Sequence, residues 1–353
     1  MKIDSFALFL TFILLSLASW VTDSSILAAV SDPAILQAKK EAEVKGHVFF
    51  TTHDEIVAMA KKEGKLRVMT GLEKPNFKPL MNAFKQKYPF LTDIHVEDIQ
   101  GTEADQRFIL EMKSGQAKGW DITHIPLDLA NEYMPYLMRH DILGMAKHGV
   151  LKIDPRMIHP GERNIVSVTT NIRLVAYNRK LISEDKVPAK WEDFLGLERT
   201  LDFARKLAAQ QPVWGRGAAR IITAIAAGEY SLFPGASFNL LKTAMGKDQT
   251  GSLNYKIIEP VPTRIIEDGV AILNTADHPH VALLWLEFLT SPEGQEIIDK
   301  YEPFAASVFT PGSVLEQVTR GKKLSVIDWD HFTKFQEYQE KIFAAYGFPK
   351  AGK

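Results

Sequence analysis

The sequence predicts an exported α/β protein of two domains, each built on a mainly parallel sheet flanked by helices. Three observations predict it. Strand-like and helix-like stretches alternate with short links from residue 54 to about residue 140. A longer extended stretch, "NIVSVTTNIRLVAYNRKLI" (164–182), then suits a passage from one domain to the other. The length of 353 residues has room for two domains of ordinary size.

The N-terminus differs in kind from the rest. Lys2 precedes an uncharged run from Phe6 to Trp20, followed by the small residues of "SILAAVSDPA". That run is short for a bilayer span but suits the apolar region of a secretory signal, so residues 1–29 are expected to be a signal peptide cleaved near Ala29. An uncleaved membrane anchor is the alternative. Cleavage removes Lys2, Asp4 and Asp23 and turns a net charge of −1 into zero. A neutral surface gives no electrostatic footprint for nucleic acid, and none is expected as a partner. There is no cysteine, which excludes disulfides and a lipid-modified N-terminal cysteine and leaves stability to the core.

Each element has its own signal. "DEIVAMAKKEG" (54–64) reads as a helix stopped by Gly64, and "KLRVMTG" (65–71) as a strand running into a loop. Phe77, Leu80, Met81, Phe84 and Tyr88 form a helical stripe closed by Pro89. "DIHVED" (93–98) is a strand, "EADQRFILEMKSG" (103–115) a helix and "WDITHI" (120–125) a strand. "LDLANEYMPYLMRH" (127–140) is a helix interrupted at Pro135. The 19 residues from 164 to 182 are long for one strand, so two strands crossing at Thr169–Asn171 are expected. "TLDFARKLAAQ" (200–210) and "ARIITAIAAGEY" (219–230) read as helices. "YKIIEPVPTR" (255–264) reads as a strand ended by its two prolines, and "GVAILN" (269–274) as another.

"HPHVALLWLEFLTSPEGQ" (278–295) reads as two helices meeting at a tight corner. Val281, Leu284, Trp285, Phe288 and Leu289 make one buried face. Pro279 opens the first helix, and Ser291 caps a second that begins with Pro292 and carries Glu293 in its first turn. Trp120 and Trp285 sit in apolar patterns and are expected in the core.

Several phrases occur together in a telling order: "VAYNRKLI" (175–182), "VPAKWEDFL" (187–195), "AAGEYSL" (226–232), and then "GVAIL" before the helix pair. In that order the chain, from about Lys65 to Tyr301, resembles the extracellular solute-binding proteins of ABC importers, the ferric-iron-binding group above all. The resemblance implies a two-lobed periplasmic-binding-protein-like fold (type II) in which two crossing strands join the lobes and the solute lies in the cleft. It implies lobes of 30–168 with 262–305, and 169–261 with 306–353, and a monomer that delivers its solute to a permease in the inner membrane.

Two departures qualify it. Iron-binding members place neighbouring tyrosines in the loop after "GEY", where this chain has Ser237 and Phe238, so tyrosine-held ferric iron is not expected. After "WEDF" the family carries a further segment, whereas here Phe194 runs straight into "LGLERTLDFARK": either the second lobe is trimmed near 194–200 or the sequence lacks a piece of it.

Parallel sheets bind ligands beyond the carboxyl ends of their strands, which singles out Thr70 and Gly71, and Thr123 and His124. The crossing adds Thr170, Asn171 and Arg173. Trp214 and Arg216 in "PVWGRGAAR" (212–220) precede a helix, where backbone N–H groups and an arginine can cradle an oxyanion. Ser237 and Phe238 complete the candidate ligand contacts. No phosphate-binding loop, dinucleotide fingerprint or HExxH zinc motif is present, so no cofactor or metal is expected. "GASFN" (235–239) resembles a nucleophile elbow but has Asn239 where the strained turn needs glycine. His278 and His280 bracket a proline at a helix start and are expected to be exposed. The function these observations favour is capture of a small organic anion. An exported hydrolase on a similar scaffold, or a ferric-iron-binding protein with other ligands, are the alternatives.

Overall fold

A computed structural model of the chain describes residues 32–99, 102–126, 129–189, 205, 208–209, 217–327, 329 and 335–347. The expected signal peptide, Trp214, Arg216, the break after Phe194 and most of the expected helix 200–210 lie outside these residues.

The first half alternates as its periodicity predicts. Helices α1 (Pro33–Val44) and α2 (His53–Glu63) lead into β1 (Lys65–Thr70). Thr52 caps α2 through the Glu55 N–H, and Gly64 ends it at φ 63°, a left-handed turn that glycine adopts without a steric penalty. Next come α3 (Phe77–Lys87), β2 (Asp93–Asp98), α4 (Thr102–Lys113), β3 (Ile122–Ile125), α5 (Ala130–Tyr133) and α6 (Ile142–Lys147). Pro135 ends α5 in a single 3-10 turn. Strands β1, β2 and β3 run parallel, with β1 in the middle. Among the described residues no helix is long and apolar enough to cross a membrane.

The extended stretch is one strand, β4 (Val166–Asn178), rather than the expected two. Its register slips between Ser167 and Thr169 and again between Thr169 and Asn171, so the crossing is made by two local irregularities without breaking the strand. A second correction concerns the prolines after Tyr255. They precede and open a strand: β6 (Leu253–Lys256) ends before them, and β7 (Val261–Ile272) runs unbroken through Pro262 to "GVAI". Pro262 is tolerated near the strand's start, where a missing N–H costs least.

The segment "LFPGAS", read from the sequence as part of a loop, is strand β5 (Leu232–Ser237). Val175 pairs with Pro234 and Leu174 with Ala236, leaving Gly235 as the extra residue of a bulge at φ 92°. That bulge admits a proline into a strand. Helices α7 (Ala218–Ala227) and α8 (Phe238–Lys247) flank β5 in sequence. The strand order is β2-β1-β3-β7-β4-β5, with β6 also on β4, and β8 (Leu324–Ile327) beside β7.

Strands β4 and β7 each serve two cores. Val166 and Val168 lie in one with Leu66, Phe84, Trp285 and Phe288. Ile172, Leu174 and Ala176 lie in another with Ile222, Ile225, Phe238 and Leu241. Between them the strand is polar yet buried: Thr169, Thr170 and Asn171 are each 1% exposed. Strand β7 likewise runs from pairing with β8 at Val261 to pairing with β3 at Ile272. A third passage lies beside them, for Thr170 donates its N–H to Ala305 O (3.2 Å) and accepts the Val308 N–H on Oγ1 (2.8 Å).

The corner at residue 291 serves this crossing. Helix α9 (Pro279–Thr290) is buried from Val281 onward, and Ser291 caps α10 (Pro292–Tyr301) through the Gly294 N–H. Two polar residues of α10 and its C-cap Glu302, at i, i+4 and i+7, hold the adjoining segments. Gln295 donates to Val168 O (2.9 Å) and accepts the Ser307 N–H (2.5 Å). Asp299 accepts the N–H groups of Ala306 (3.2 Å) and Val314 (2.9 Å). Glu302 accepts from Glu73 and Asn76, in the loop after β1. Trp285 is in the core as expected, whereas Trp120 is only half-buried and lies against His95.

His278 and His280 are not solvated. Each ring is largely buried against a carboxylate, His278 Nδ1 at 2.9 Å from Asp121 and His280 Nδ1 at 2.5 Å from Glu63. The same carboxylates accept the first N–H groups of α9, which are unbonded within the helix. This correction follows from tertiary packing of α9 on α2.

Candidate functional site

The buried polar residues of the crossing build one face. On β4, Asn171 and Arg173 point to the same side, while Ile172 and Leu174 point to the apolar core. Arg264 on β7 stands opposite Asn171, and Ser237 on β5 stands opposite Arg173. Directly opposed residues of antiparallel strands share a face. The result is two arginines, an asparagine and a serine on one polar surface where the sheet passes from one core to the other.

Hydrogen bonds order that surface. Asn171 Nδ2 donates to Ser237 Oγ (2.9 Å) and to Asn239 Oδ1 (3.0 Å). Ser237 Oγ donates to Asn239 Oδ1, which also accepts the Leu240 N–H (2.8 Å). The amide of Asn239 therefore caps the start of α8, and Ser237, the N-cap residue, leaves that duty to it. Asn171 Oδ1 has no hydrogen-bond partner among the described residues. The positive end of α8 lies at this surface through Ser237 and Asn239.

The other sequence-predicted residues divide. Thr70 is buried at the carboxyl end of β1, where Oγ1 accepts the Leu72 N–H (3.2 Å), and Gly71 follows it half-buried. Thr123 is fully buried and donates to its neighbour's carbonyl, His124 O (2.9 Å). His124 is half-buried at the same strand end. Thr170 is consumed by the passage of residues 305–308. Phe238 is corrected outright: its ring is 1% exposed, edge-on to Tyr255 and Phe304, and belongs to the core. Alternation decides it, because Ser237 takes the polar side and its neighbour must take the other.

Sequence reasoning missed Asn239 and Arg264. Asn239 was visible as the residue that spoils the "GASFN" elbow; Arg264 was hidden at what reads as the end of a strand. It also missed Asp105 in the first turn of α4 and Tyr133 at the end of α5. Asp105 is 6% and Tyr133 0% exposed, and Asp105 Oδ1 and Tyr133 Oη both lack a hydrogen-bond partner among the described residues. Burial pushes the Asp105 carboxyl up, against the pull of His124. Among the described residues no three His, Cys, Asp or Glu side chains are grouped to hold a metal ion.

Residues 195–334 match the family model described as bacterial extracellular solute-binding protein. No curated protein sequence matches the chain. Its structural neighbours are ferric-iron-binding proteins and other substrate-binding proteins of ABC transporters, two-lobed periplasmic binding proteins of the fold the sequence predicts. One is ferric iron-binding protein A of Mannheimia haemolytica in an open conformation, at TM-score 0.61 and 15% identity, covering 80% of this chain and 98% of that one. A second is the substrate-binding protein of an ABC transporter from Agrobacterium tumefaciens, at TM-score 0.54 and 15% identity, covering 79% and 95%. A third is a GABA receptor at TM-score 0.56 and 14% identity, covering 82% and 99%.

Proposed function

We propose that the chain is the exported solute-binding component of an ABC importer, which captures a small organic solute bearing an oxyanion between two lobes and delivers it to a membrane permease. The observation that carries this reading is the crossing: β4 and β7 each run through two cores, and a polar face with Arg173 and Arg264 sits where they change over. Two lobes joined by such strands can close about them, which expels water from the cleft and presents a distinct closed shape. The lobes are 30–168 with 262–305 and 169–261 with 306–353. Residues 1–29 are the export signal, and the mature chain acts as a periplasmic monomer.

Binding is favoured over catalysis by the surroundings of Ser237. Its hydroxyl is held by Asn171 and Asn239, two amides that cannot take its proton as the general base of an acyl-transfer site must. Guanidinium groups pair with carboxylates and phosphonates in a bidentate manner. Native mass spectrometry of freshly purified protein is expected to show a retained small acid. Calorimetry against organic acids and phosphonates is expected to lose about tenfold in affinity with Arg173→Ala or Arg264→Ala, the weight of one charge-assisted contact. Ester hydrolysis abolished by Ser237→Ala would instead establish an enzyme.

A further inference from the structure

We propose that Asp105 recognises a positively charged nitrogen of the solute, so that the cargo is a small zwitterion with an amine at one end and an oxyanion at the other. This rests on the solute-binding reading above and names the class of solute. Asp105 stands in the first turn of α4, just past the carboxyl end of β2, where a parallel sheet meets its ligand. Asp105 is 6% exposed, yet its Oδ1 has no hydrogen-bond partner among the described residues.

Tyr133 Oη, also without a hydrogen-bond partner among the described residues, lies within the field of Asp105. Burial, and after it the charge of Asp105, raises the Tyr133 phenol, so the hydroxyl stays protonated. A buried acceptor without a donor is costly, and native proteins satisfy such groups with a partner, a water or a ligand. Here two buried oxygens, Asp105 Oδ1 in the helix after β2 and Tyr133 Oη in the helix after β3, are left without a partner among the described residues. His124, at the end of β3, is the group that offsets the burial of Asp105.

The chemistry selects the ligand. An ammonium group brings three donors and the opposite charge, whereas a hydroxyl brings one donor and leaves the carboxylate uncompensated. An oxyanion would be repelled at Asp105 and suits the arginine face of the crossing. A solute that satisfies both ends is an ω-amino acid or an aminoalkylphosphonate.

The test is calorimetry on the mature full-length chain with two matched series. One contains ω-amino acids and aminoalkylphosphonates; the other contains carboxylic and phosphonic acids of equal chain length without the amine. Amino compounds are expected to bind at least about tenfold tighter than their amine-free partners. Asp105→Asn is expected to abolish that preference, and Tyr133→Phe to reduce it. Equal or tighter binding of the amine-free acids by wild type overturns the proposal but leaves solute binding standing. Binding of neither series overturns it too, and a chain that also retains no small molecule on purification loses the solute-binding reading with it. The wild-type comparison decides even where Asp105→Asn fails to fold.

Discussion

Glu302 Oε2 accepts a hydrogen bond from Asn76 Nδ2 at 3.0 Å, joining residues 226 apart in the chain. The same oxygen accepts the Glu73 N–H at 3.0 Å. Asn76 is fully buried in the loop after β1, and Glu302 ends α10 immediately before the passage of residues 304–309. The loop carrying Thr70 and Gly71 is thereby tied to the segment that crosses between the two cores.

Glu302→Ala should cost about 1–3 kcal/mol, because Asn76 would keep an unpaired amide in the interior. Urea unfolding of wild type and variant measures it, and an unchanged midpoint would show that the bond adds nothing. Glu302→Gln retains an acceptor and is expected to recover most of the loss.

The corner between α9 and α10 depends on Gly294. A Cβ there would stand 2.2 Å from Phe288 O and 3.0 Å from Leu289 Cα, both backbone atoms that cannot swing away. Alanine is intrinsically better than glycine in a helix by about 1 kcal/mol, so propensity alone predicts that Gly294→Ala stabilises. The clash should win by about 1–3 kcal/mol and lower the melting temperature. A rise in melting temperature would mean that the corner relaxes at little cost.

Two histidines should give stability opposite pH dependences. His53 lies 2.8 Å from Glu287, and that hydrogen bond raises the imidazole above its ordinary value. Burial pushes Glu287 up, yet the bonds from His53 and the Lys152 N–H outweigh it and hold the carboxyl low. With its folded pKa above the unfolded value near 6.5, His53 contributes fully below that pH and loses its contribution as pH rises through the folded pKa. His140 is pushed down to about 3 by burial and then by His280. It stays neutral when folded while the unfolded chain takes up a proton, so stability falls as pH drops below about 6.5. Urea midpoints measured from about pH 5 to pH 9 should show His53→Gln flattening the alkaline limb and His140→Phe the acid limb. Unchanged limbs would remove both histidines from the account.

Much of the fold was legible because its signals are local. The stripe of Phe77, Leu80, Met81 and Phe84, the stop at Gly64 and the Ser291 cap each lie within one or two turns of the residues they govern. The position of the crossing was legible too, since "TTN" interrupts an apolar alternation. The strand β5 was not: "LFPGAS" contains a proline and a glycine, the usual marks of a loop, and only its bulged pairing with Leu174 and Val175 makes it a strand.

The site was legible only in part. Asn171, Arg173 and Ser237 were candidates from the crossing and the motif, and strand pairing brings them onto one face. Phe238 lies in the core, because sequence does not say which of two neighbours takes the polar side until the sheet is built. Asp105 and Tyr133 carry no motif; each keeps a buried oxygen without a hydrogen-bond partner among the described residues, a property that exists only after burial.

What the sequence by itself determined about this protein is therefore its alternation of strands and helices, the caps and corners between them, and the point at which one core gives way to another. The tertiary structure decided that β4 and β7 are continuous, that Arg264 stands beside Asn171, and that His278 and His280 face carboxylates on α2 and before β3. The physical reason is range. Helical period, caps and turns are set by residues a few positions apart, whereas pairing, burial and charge neighbourhoods are set by segments up to 234 residues apart, as in His53 and Glu287, that meet only when the chain returns.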